Sequence, residues 1–282
     1  MTSLVDLPPP IIVNIASNLP DKGLFSLAIL NQKMRELIRT TATTTPPICV
    51  TSPEEKENIR KLIQTYPNLT DVNISHSRYL TDDIIEFLVE KCPKISKLKL
   101  WNCLTLTDAA LHSISRLTDL KWICLGDNQN FSNDGVTEVL KGCEQLETLD
   151  ITLCTNVTSA LAASIAEHGK MLKELIAEFC PAFATNDALT TIAGGQCRQL
   201  EKLIMGNGTA SDEGIEALFI SPLKDTLTIL DFRRNAEIQQ SGYDKIRLFP
   251  NIQEIDGVPV SSLPEEDTGA YFINKRAMYG DG

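Results

Sequence analysis

Apolar residues recur along the chain in a fixed pattern of three positions, which we number 1, 4 and 6 of a repeating unit. Eight copies of this pattern lie between residues 69 and 257, and neighbouring copies are 25 to 28 residues apart. The first positions of the copies are Leu69, Ile95, Leu120, Leu146, Leu172, Leu200, Leu227 and Ile252. The chain is therefore predicted to fold as a stack of similar units.

Each unit is predicted to contain one strand and one helix. Positions 4 and 6 are two residues apart, so both side chains lie on the same face of a strand. A Ser or Thr suited to cap a helix follows most strands, and apolar residues then recur at helical spacing. These predicted caps are Thr81, Thr107, Ser132, Thr158 and Ser211. The period predicts an α/β solenoid of leucine-rich repeats over residues 67–257, with parallel strands on the concave side and helices on the convex side.

Six of the eight cysteines fall in two recurring positions of the repeat. Position 9, just after the strand, holds Cys103, Cys154 and Cys180. The helix end, three residues before position 1, holds Cys92, Cys143 and Cys197. Burial as small apolar residues accounts for this spacing, and a metal or redox site is the alternative. Because no C-x-x-C motif occurs and no His pair lies at zinc-finger spacing, we predict reduced, metal-free thiols and no cofactor.

Charge and composition narrow the possible functions. The 282-residue chain carries a formal net charge of −11, and its Lys and Arg residues are scattered, which argues against a nucleic-acid partner. No apolar run reaches the length of a membrane span, and the first residues do not resemble a signal peptide. We therefore expect a cytoplasmic or nuclear protein. The three histidines form no catalytic arrangement with Ser or Cys and Asp, so we expect no enzyme activity.

A binding surface is predicted on the concave face of the sheet. If positions 4 and 6 point into the core, positions 3, 5 and 7 face outwards on neighbouring strands, about 4.8 Å apart. Both tryptophans of the chain fall on this face, and aromatic residues are frequent binding anchors. The lysines beside them favour an acidic or phosphorylated protein segment. The candidate partner-binding residues are Lys97, Lys99, Trp101, Trp122, Glu174, Ile176, Glu178, Asp231 and Arg233. Alternatively, the tail or the amino-terminal region covers this face.

The segments outside the repeats differ in character. Residues 1–42 are predicted to form two or three short amphipathic helices, which need a partner or a docked neighbour. Residues 43–66 are predicted to be a polar linker and a first edge unit, in which residues 48–50 add a strand and Ser52 to Glu55 form a capping box. Residues 258–282 contain no repeat and are predicted to be a tail.

Two stretches carry a resemblance to a known family. The segments "CPKISKLKLWNCLTLTDAAL" from Cys92 and "CEQLETLDITLCTNVTSAL" from Cys143 resemble the cysteine-containing subclass of leucine-rich repeats. Residues 1–42 resemble an F-box, a small all-α domain, although Pro10, Gly23 and Met34 depart from its usual pattern. The matching positions are Leu7, Pro8, Ile11, Ile15, Leu19, Pro20, Leu24 and Leu27. The alternative for this segment is a helical cap on the solenoid.

The combination resembles the F-box/leucine-rich-repeat proteins, and this resemblance implies a role. The F-box positions would dock the Skp adaptor, and through it the cullin, of an SCF (Skp–cullin–F-box) ubiquitin ligase. The repeats would hold a protein substrate for ubiquitination, with no catalytic residue in the chain itself. The alternative is a leucine-rich-repeat scaffold that binds a regulatory protein without a ligase.

Overall fold

The computed structural model describes residues 48–52, 55–264 and 269–273 of the chain. The predicted F-box positions lie outside the described residues, so the F-box stays a prediction. None of the helices within the described ranges combines the length and hydropathy that crossing a bilayer requires.

The strands form a single sheet in chain order within the described residues. Strands β1 to β8 pair in parallel, and β9 turns back to pair with β8 in antiparallel orientation. Position 3 of each repeat pairs with position 3 of the next, which confirms all eight predicted repeat starts. The strands β1 to β9 are Asp71–Asn73, Lys97–Lys99, Trp122–Cys124, Thr148–Asp150, Glu174–Ile176, Lys202–Ile204, Ile229–Asp231, Glu254–Ile255 and Val258–Pro259.

One layer of helices covers the other side of the sheet, and each helix packs on the helix of the next repeat. The residues at positions 4 and 6 lie between the two layers and are almost completely buried in the first seven repeats. This arrangement confirms the predicted α/β solenoid. The helices α1 to α8 are Glu55–Thr65, Asp82–Lys91, Asp108–Ile114, Asn133–Gly142, Leu161–His168, Asn186–Gly194, Asp212–Ile220 and Gln240–Ile246.

Three of the five predicted helix caps make a side-chain capping bond. The hydroxyls of Thr107, Ser132 and Ser211 accept backbone N–H groups of the first helical turn. Thr81 precedes α2 but makes no such bond. The prediction for Thr158 is wrong, because α5 begins only after Ala160, and the Thr158 hydroxyl instead accepts from the Asn133 amide at 2.8 Å.

In five of the repeats the position-9 side chain, a cysteine or an asparagine, donates a hydrogen bond into the preceding repeat. In each case the acceptor is the backbone carbonyl of position 6 in that repeat. Cys154 Sγ lies 3.2 Å from the Leu125 carbonyl oxygen, and Asn128 Nδ2 lies 2.8 Å from that of Leu100. The same bond is made by Cys103, Cys180 and Asn235. Ser77, in the first repeat, donates to the Ile48 carbonyl of the segment before the repeats at 3.4 Å, whereas Gly208 at position 9 of the sixth repeat has no side chain to donate. Position 9 therefore holds a small buried donor, rather than an apolar residue alone, in all of these repeats except the sixth.

The helix-end cysteines lie equally deep. Cys92, Cys143 and Cys197 have exposed fractions of at most 1%. The thiols of Cys143 and Cys197 face a backbone carbonyl of the preceding repeat at 3.5 Å, and the thiol of Cys92 faces the Tyr66 carbonyl, just before the first repeat, at 3.4 Å. Burial raises the pKa of the Cys92 thiol to about 11 and that of Cys143 to about 12. A thiol with such a pKa stays protonated near neutral pH and is a poor nucleophile.

A left-handed residue follows every strand from β1 to β7, at position 8. Its φ angle lies between 55° and 63° in all seven repeats, although none of these residues is glycine. They are His76, Asn102, Asp127, Leu153, Phe179, Asn207 and Arg234. This conformation costs a non-glycine residue roughly 1–2 kcal/mol. In the first six repeats the position-8 N–H donates to the position-7 carbonyl of the following repeat, as Leu153 does to Glu178 at 2.9 Å. These inter-repeat bonds offset the strain.

The segment before the first repeat lies along the free edge of β1. The Ile48 N–H donates to the Asn73 carbonyl at 2.9 Å, and Tyr79 donates to the Val50 carbonyl at 3.1 Å. Residues 48–50 therefore extend the solenoid edge. Contrary to the prediction, they form no regular strand. The Glu55 carboxylate accepts from the Ser52 N–H at 3.1 Å, which is one of the two bonds of the predicted capping box.

The described part of the tail closes the other end of the solenoid. The Phe272 ring stacks on Tyr243 of α8 with the ring centroids 4.7 Å apart. The Gly269 N–H donates to the Asp244 carboxylate at 2.6 Å. These contacts lie on the helix layer. Residues 269–273 therefore pack on the helix layer, whereas Val258–Pro259 extends the edge of the sheet as β9.

Asp256 is a buried acid at this carboxyl-terminal end. It occupies position 5 of the last repeat and was expected to face outwards, but only 7% of its surface is exposed. Its carboxylate accepts hydrogen bonds at 2.7 Å from the Phe232 N–H and from the Tyr243 hydroxyl. Desolvation raises the pKa of Asp256 to about 6, in spite of these two bonds.

We predict that thiol labelling of the native protein separates Cys49 from the other cysteines. Cys49 is exposed, whereas the remaining seven are buried. Mass spectrometry after a short exposure to an alkylating reagent should find Cys49 modified first, with the others reacting only as the protein unfolds. Elemental analysis should find no stoichiometric zinc. Fast native labelling of Cys103, Cys154 and Cys180 would contradict the burial described above.

We also predict that the contribution of Asp256 to the free energy of unfolding decreases as the pH rises. Because its folded-state pKa is higher than the value of 3.8 for a free side chain, the folded protein holds this proton more tightly than the unfolded chain. The free energy of unfolding, relative to Asp256→Asn, should fall between about pH 4 and pH 6 by up to about 3 kcal/mol. Urea unfolding at several pH values measures this difference. Asp225→Asn, at an exposed site, is the control and should leave the pH profile unchanged.

Candidate protein-binding surface

The concave face consists of positions 3, 5 and 7 of the repeats. Because the strands pair in register, residues at one position form a continuous row with a spacing of about 4.8 Å. The nine residues predicted to bind a partner all belong to these rows. The structure groups them into three clusters, on β2 and β3, on β5, and on β7.

The first cluster combines two lysines with the two tryptophans. Lys97 pairs with Trp122 across the β2–β3 ladder, and the Lys97 ammonium lies 4.9 Å from the centre of the Trp122 ring. This cation–π contact holds the long lysine side chain in place. Within the described residues no carboxylate forms an ion pair with Lys97 or Lys99. The cluster therefore presents two positive charges that lack an internal ion-pair partner.

Trp101 takes its position from a glycine on the neighbouring strand. A Cβ atom on Gly126 would overlap the six-membered ring of Trp101, so the indole lies directly over the Gly126 backbone. The Trp101 N–H group of the main chain donates to the Ser75 hydroxyl at 3.2 Å. Position 7 of the third repeat therefore supports an aromatic ring from the second repeat. The sequence of a single repeat does not reveal this contact.

The second cluster lies on β5 and combines acidic and aliphatic side chains. Glu174 forms an ion pair with Lys202 at 3.6 Å, whereas Glu178 has no ion-pair partner among the described residues. Ile176 pairs with Ile204 of β6, and both side chains are half-buried. The selection from sequence omitted Ile204, although the parallel pairing of position 5 would have identified it.

The third cluster is an internal ion pair. The Arg233 guanidinium donates to both oxygens of Asp231, from Nε at 3.0 and 2.9 Å, and lies within 2.6 Å of it through a second nitrogen. Hydrogen bonding to Asp231 raises the pKa of Arg233. Only 4% of Asp231 is exposed, whereas Arg233 is exposed. Asp231 therefore holds Arg233 in place, and Arg233 alone is available to a partner.

Two further residues of the concave rows, Cys124 on β3 and Asp150 on β4, lie between the first and second clusters. Cys124 was expected to face outwards, but it is buried, and its thiol donates to the Asp150 carboxylate at 3.3 Å. Desolvation, together with the negative charge of Asp150, raises the pKa of this thiol to about 12. Asp150 also accepts from the Thr152 N–H at 3.0 Å but forms no ion pair within the described residues. It is a charge on this face that the selection from sequence left out.

Comparison with known proteins supports a distant relationship. The chain is 27% identical over 178 residues to F-box/LRR-repeat protein 4 of Bos taurus. This match covers 53% of the chain and 29% of the length of that protein. No family model matches the chain. The comparison indicates a repeat-based protein-binding role.

A solved structure with a similar course of the chain is the crystal structure of the Rad7 and Elc1 complex in yeast. It matches with a TM-score of 0.44 and 14% sequence identity, over 91% of this chain and 79% of that chain. At this level of likeness the fold assignment rests on the strand pairing of the chain itself.

We predict that Gly126→Ala displaces the Trp101 indole. The added methyl group would occupy the space of the ring, so tryptophan fluorescence should change in intensity or wavelength without loss of the fold. In a Trp101→Phe background, which leaves Trp122 as the reporter, the same substitution should change the spectrum much less. Equal spectral changes in both backgrounds would contradict the contact. Circular dichroism checks that the solenoid stays folded.

Proposed function

We propose that this chain is the substrate-recognition subunit of an SCF-type ubiquitin ligase. In this proposal residues 1–42 bind the Skp adaptor, which connects to the cullin, and the concave face binds a protein substrate. The chain itself performs no chemistry and needs no cofactor. It acts in the cytoplasm or the nucleus.

One observation carries the binding part of the proposal. The concave face holds charged and aromatic side chains in fixed positions, and several of these charges have no ion-pair partner among the described residues. Water solvates such charges in the free protein, and they are available to pair with a complementary partner. Tryptophan and arginine are frequent hot-spot residues, and Trp101, Trp122 and Arg233 are held in place by Gly126, Lys97 and Asp231 respectively.

The ligase part of the proposal is supported by the order of the segments. Residues 1–42 carry the F-box resemblance at Leu7-Pro8 and at the apolar positions that follow, and cysteine-type repeats come after the linker and edge unit of residues 43–66. The distant similarity to an F-box/LRR-repeat protein agrees with this order. In a ligase of this kind the receptor positions the substrate, because it brings a lysine of the bound substrate close to the enzyme that transfers ubiquitin.

The second candidate function is a scaffold that binds a regulatory protein without a ligase. The specific observation in its favour is the departure from the F-box pattern at Pro10, Gly23 and Met34. The two functions share the concave binding surface and differ only in whether the adaptor binds.

We predict that Leu7→Ala with Pro8→Ala abolishes co-purification of the Skp adaptor with the full-length chain. The two substitutions remove apolar contacts from the proposed adaptor interface, and they leave the repeats unchanged. The matched control is Ser3→Ala with Val5→Ala, close by in the sequence but outside the F-box pattern, which should bind normally. Thermal unfolding of the repeats should be nearly the same in all three proteins.

The outcome separates the two functions. Adaptor binding that is lost only in the Leu7/Pro8 variant supports the ligase receptor. A folded parent chain that binds no adaptor favours the scaffold. Undiminished binding by the Leu7/Pro8 variant would count against the F-box assignment itself.

A further inference from the structure

We propose that the concave face binds an extended segment of a partner protein whose side chains follow the order acidic, apolar, basic, aliphatic at alternate positions. The segment crosses the strands from β2 towards β6, with its acidic residue at β2. This inference rests on the proposed role of the concave face, and it specifies the chemistry of the partner.

The division between paired and unpaired charges sets the order of the segment. Glu174 with Lys202, and Asp231 with Arg233, already form ion pairs on this face. The concave charges of β2 to β5 that lack an ion pair among the described residues are positive on β2 and negative on β4 and β5. They are Lys97 and Lys99 on one side, and Asp150 and Glu178 on the other. A partner with the opposite order of charges meets attraction at both ends.

The anion at β2 is inferred to be a carboxylate. Directional recognition of phosphate uses the paired N–H groups of arginine or a row of backbone N–H groups at a helix N-terminus, whereas lysine acts as a point charge on phosphate and carboxylate alike. The charged donors at β2 are two lysines, and one of them is already stacked on Trp122. A glutamate or aspartate side chain matches this weaker, less directional site.

The spacing of the strands sets the spacing of the partner's residues. Strands β4 and β5 lie two and three steps of about 4.8 Å from β2, which places their unpaired carboxylates about 10 to 14 Å away. Four residues of an extended chain span about 13 Å, so the basic residue lies four positions after the acidic one. An even separation also keeps both side chains on the side of the segment that faces the sheet.

The apolar positions follow from the same spacing. A residue two positions after the acidic one lies about 7 Å from it, above β3, where the Trp101 and Trp122 rings lie. A residue six positions after the acidic one lies about 20 Å from it, at the pair formed by Ile176 and Ile204. Both places present half-buried apolar surface next to the unpaired charges.

Asp71 modulates the positive end of this surface. It lies on β1, directly beside Lys97 in the strand ladder, and its carboxylate weakens the positive potential that an acidic residue would meet. Its removal therefore strengthens binding if the acidic residue docks at β2, and it has the opposite effect if a basic residue docks there.

The test compares two peptides of identical composition on the full-length chain. The first is Glu-Ser-Leu-Ser-Lys-Ser-Leu, and the second exchanges its Glu and Lys; both carry blocked ends and a fluorescent label. By fluorescence anisotropy at low salt, the first peptide should bind at least about tenfold more tightly, and this preference should weaken as salt is added. Equal affinities, or a preference for the exchanged peptide, would overturn the proposal.

Variants of the protein localise the effect. Lys97→Glu with Lys99→Glu should reverse the preference between the two peptides, and Trp122→Ala should weaken binding of the first by at least about tenfold. Asp71→Asn should tighten it two- to threefold. Lys94→Glu, a charge reversal at an exposed site outside the concave rows, is the control and should leave the preference unchanged. A preference that survives the Lys97/Lys99 reversal would overturn the proposal.

A third peptide and the adaptor experiment complete the design. If a phosphoserine in place of Glu binds more than about tenfold more tightly than Glu, the carboxylate assignment is wrong. Adaptor binding without any charge-order preference would overturn this inference and leave the ligase proposal intact. A clear preference in a chain that binds no adaptor would support the inference and argue against the ligase.

Discussion

The solenoid depends on one hydrogen bond that recurs between neighbouring repeats, from the side chain of position 9 to the position-6 carbonyl of the preceding repeat. The chain leaves the strand through a left-handed residue at position 8, and that turn directs the next side chain into the core. A buried carbonyl without a partner would destabilise the stack, so a small donor at position 9 stabilises it, and Gly208 in the sixth repeat is the exception. Cysteine and asparagine make this bond between repeats, and Ser77 makes an equivalent one to the Ile48 carbonyl of the segment before the first repeat.

This constraint shapes the concave face as well. Because each turn is fixed against the preceding repeat, the strands stay in register. The residues at positions 3, 5 and 7 of the repeats therefore form rows across the sheet. Contacts along the rows then join residues that are about one repeat apart in sequence. Trp101 over Gly126 and Lys97 over Trp122 are such contacts, each linking β2 to β3. The fixed arrangement of side chains on this surface is thus a consequence of the hydrogen bonds between neighbouring repeats.

The sequence predicted those features that depend on a repeated burial pattern, and it failed where a single contact decides. The repeat starts followed from the leucine positions, since a shift by one residue would turn the core face outwards. The left-handed position 8 was missed because six different residue types, and no glycine, occupy its seven copies. Thr158 had the residue type of a cap, yet its hydroxyl bonds to Asn133 of the adjoining repeat. Cys124 and Asp256 lie at outward positions but are buried, Cys124 beside its ladder partner Asp150 and Asp256 against Tyr243 of α8, and the burial pattern of the repeats does not show this.

Single contacts also decide which concave charges are available to a partner. From sequence, Asp231 and Arg233 count as two opposite charges, but in the structure they neutralise each other and leave only the outer face of the guanidinium available. Glu174 is likewise committed to Lys202. Forming a new ion pair with either acid would first require breaking an existing one, so these residues discriminate weakly between partners. Lys97, Lys99, Asp150 and Glu178 have no ion pair to break among the described residues. In the role that we propose for this face, recognition therefore depends on the charges that have no ion pair among the described residues, and these are fewer than the sequence indicates.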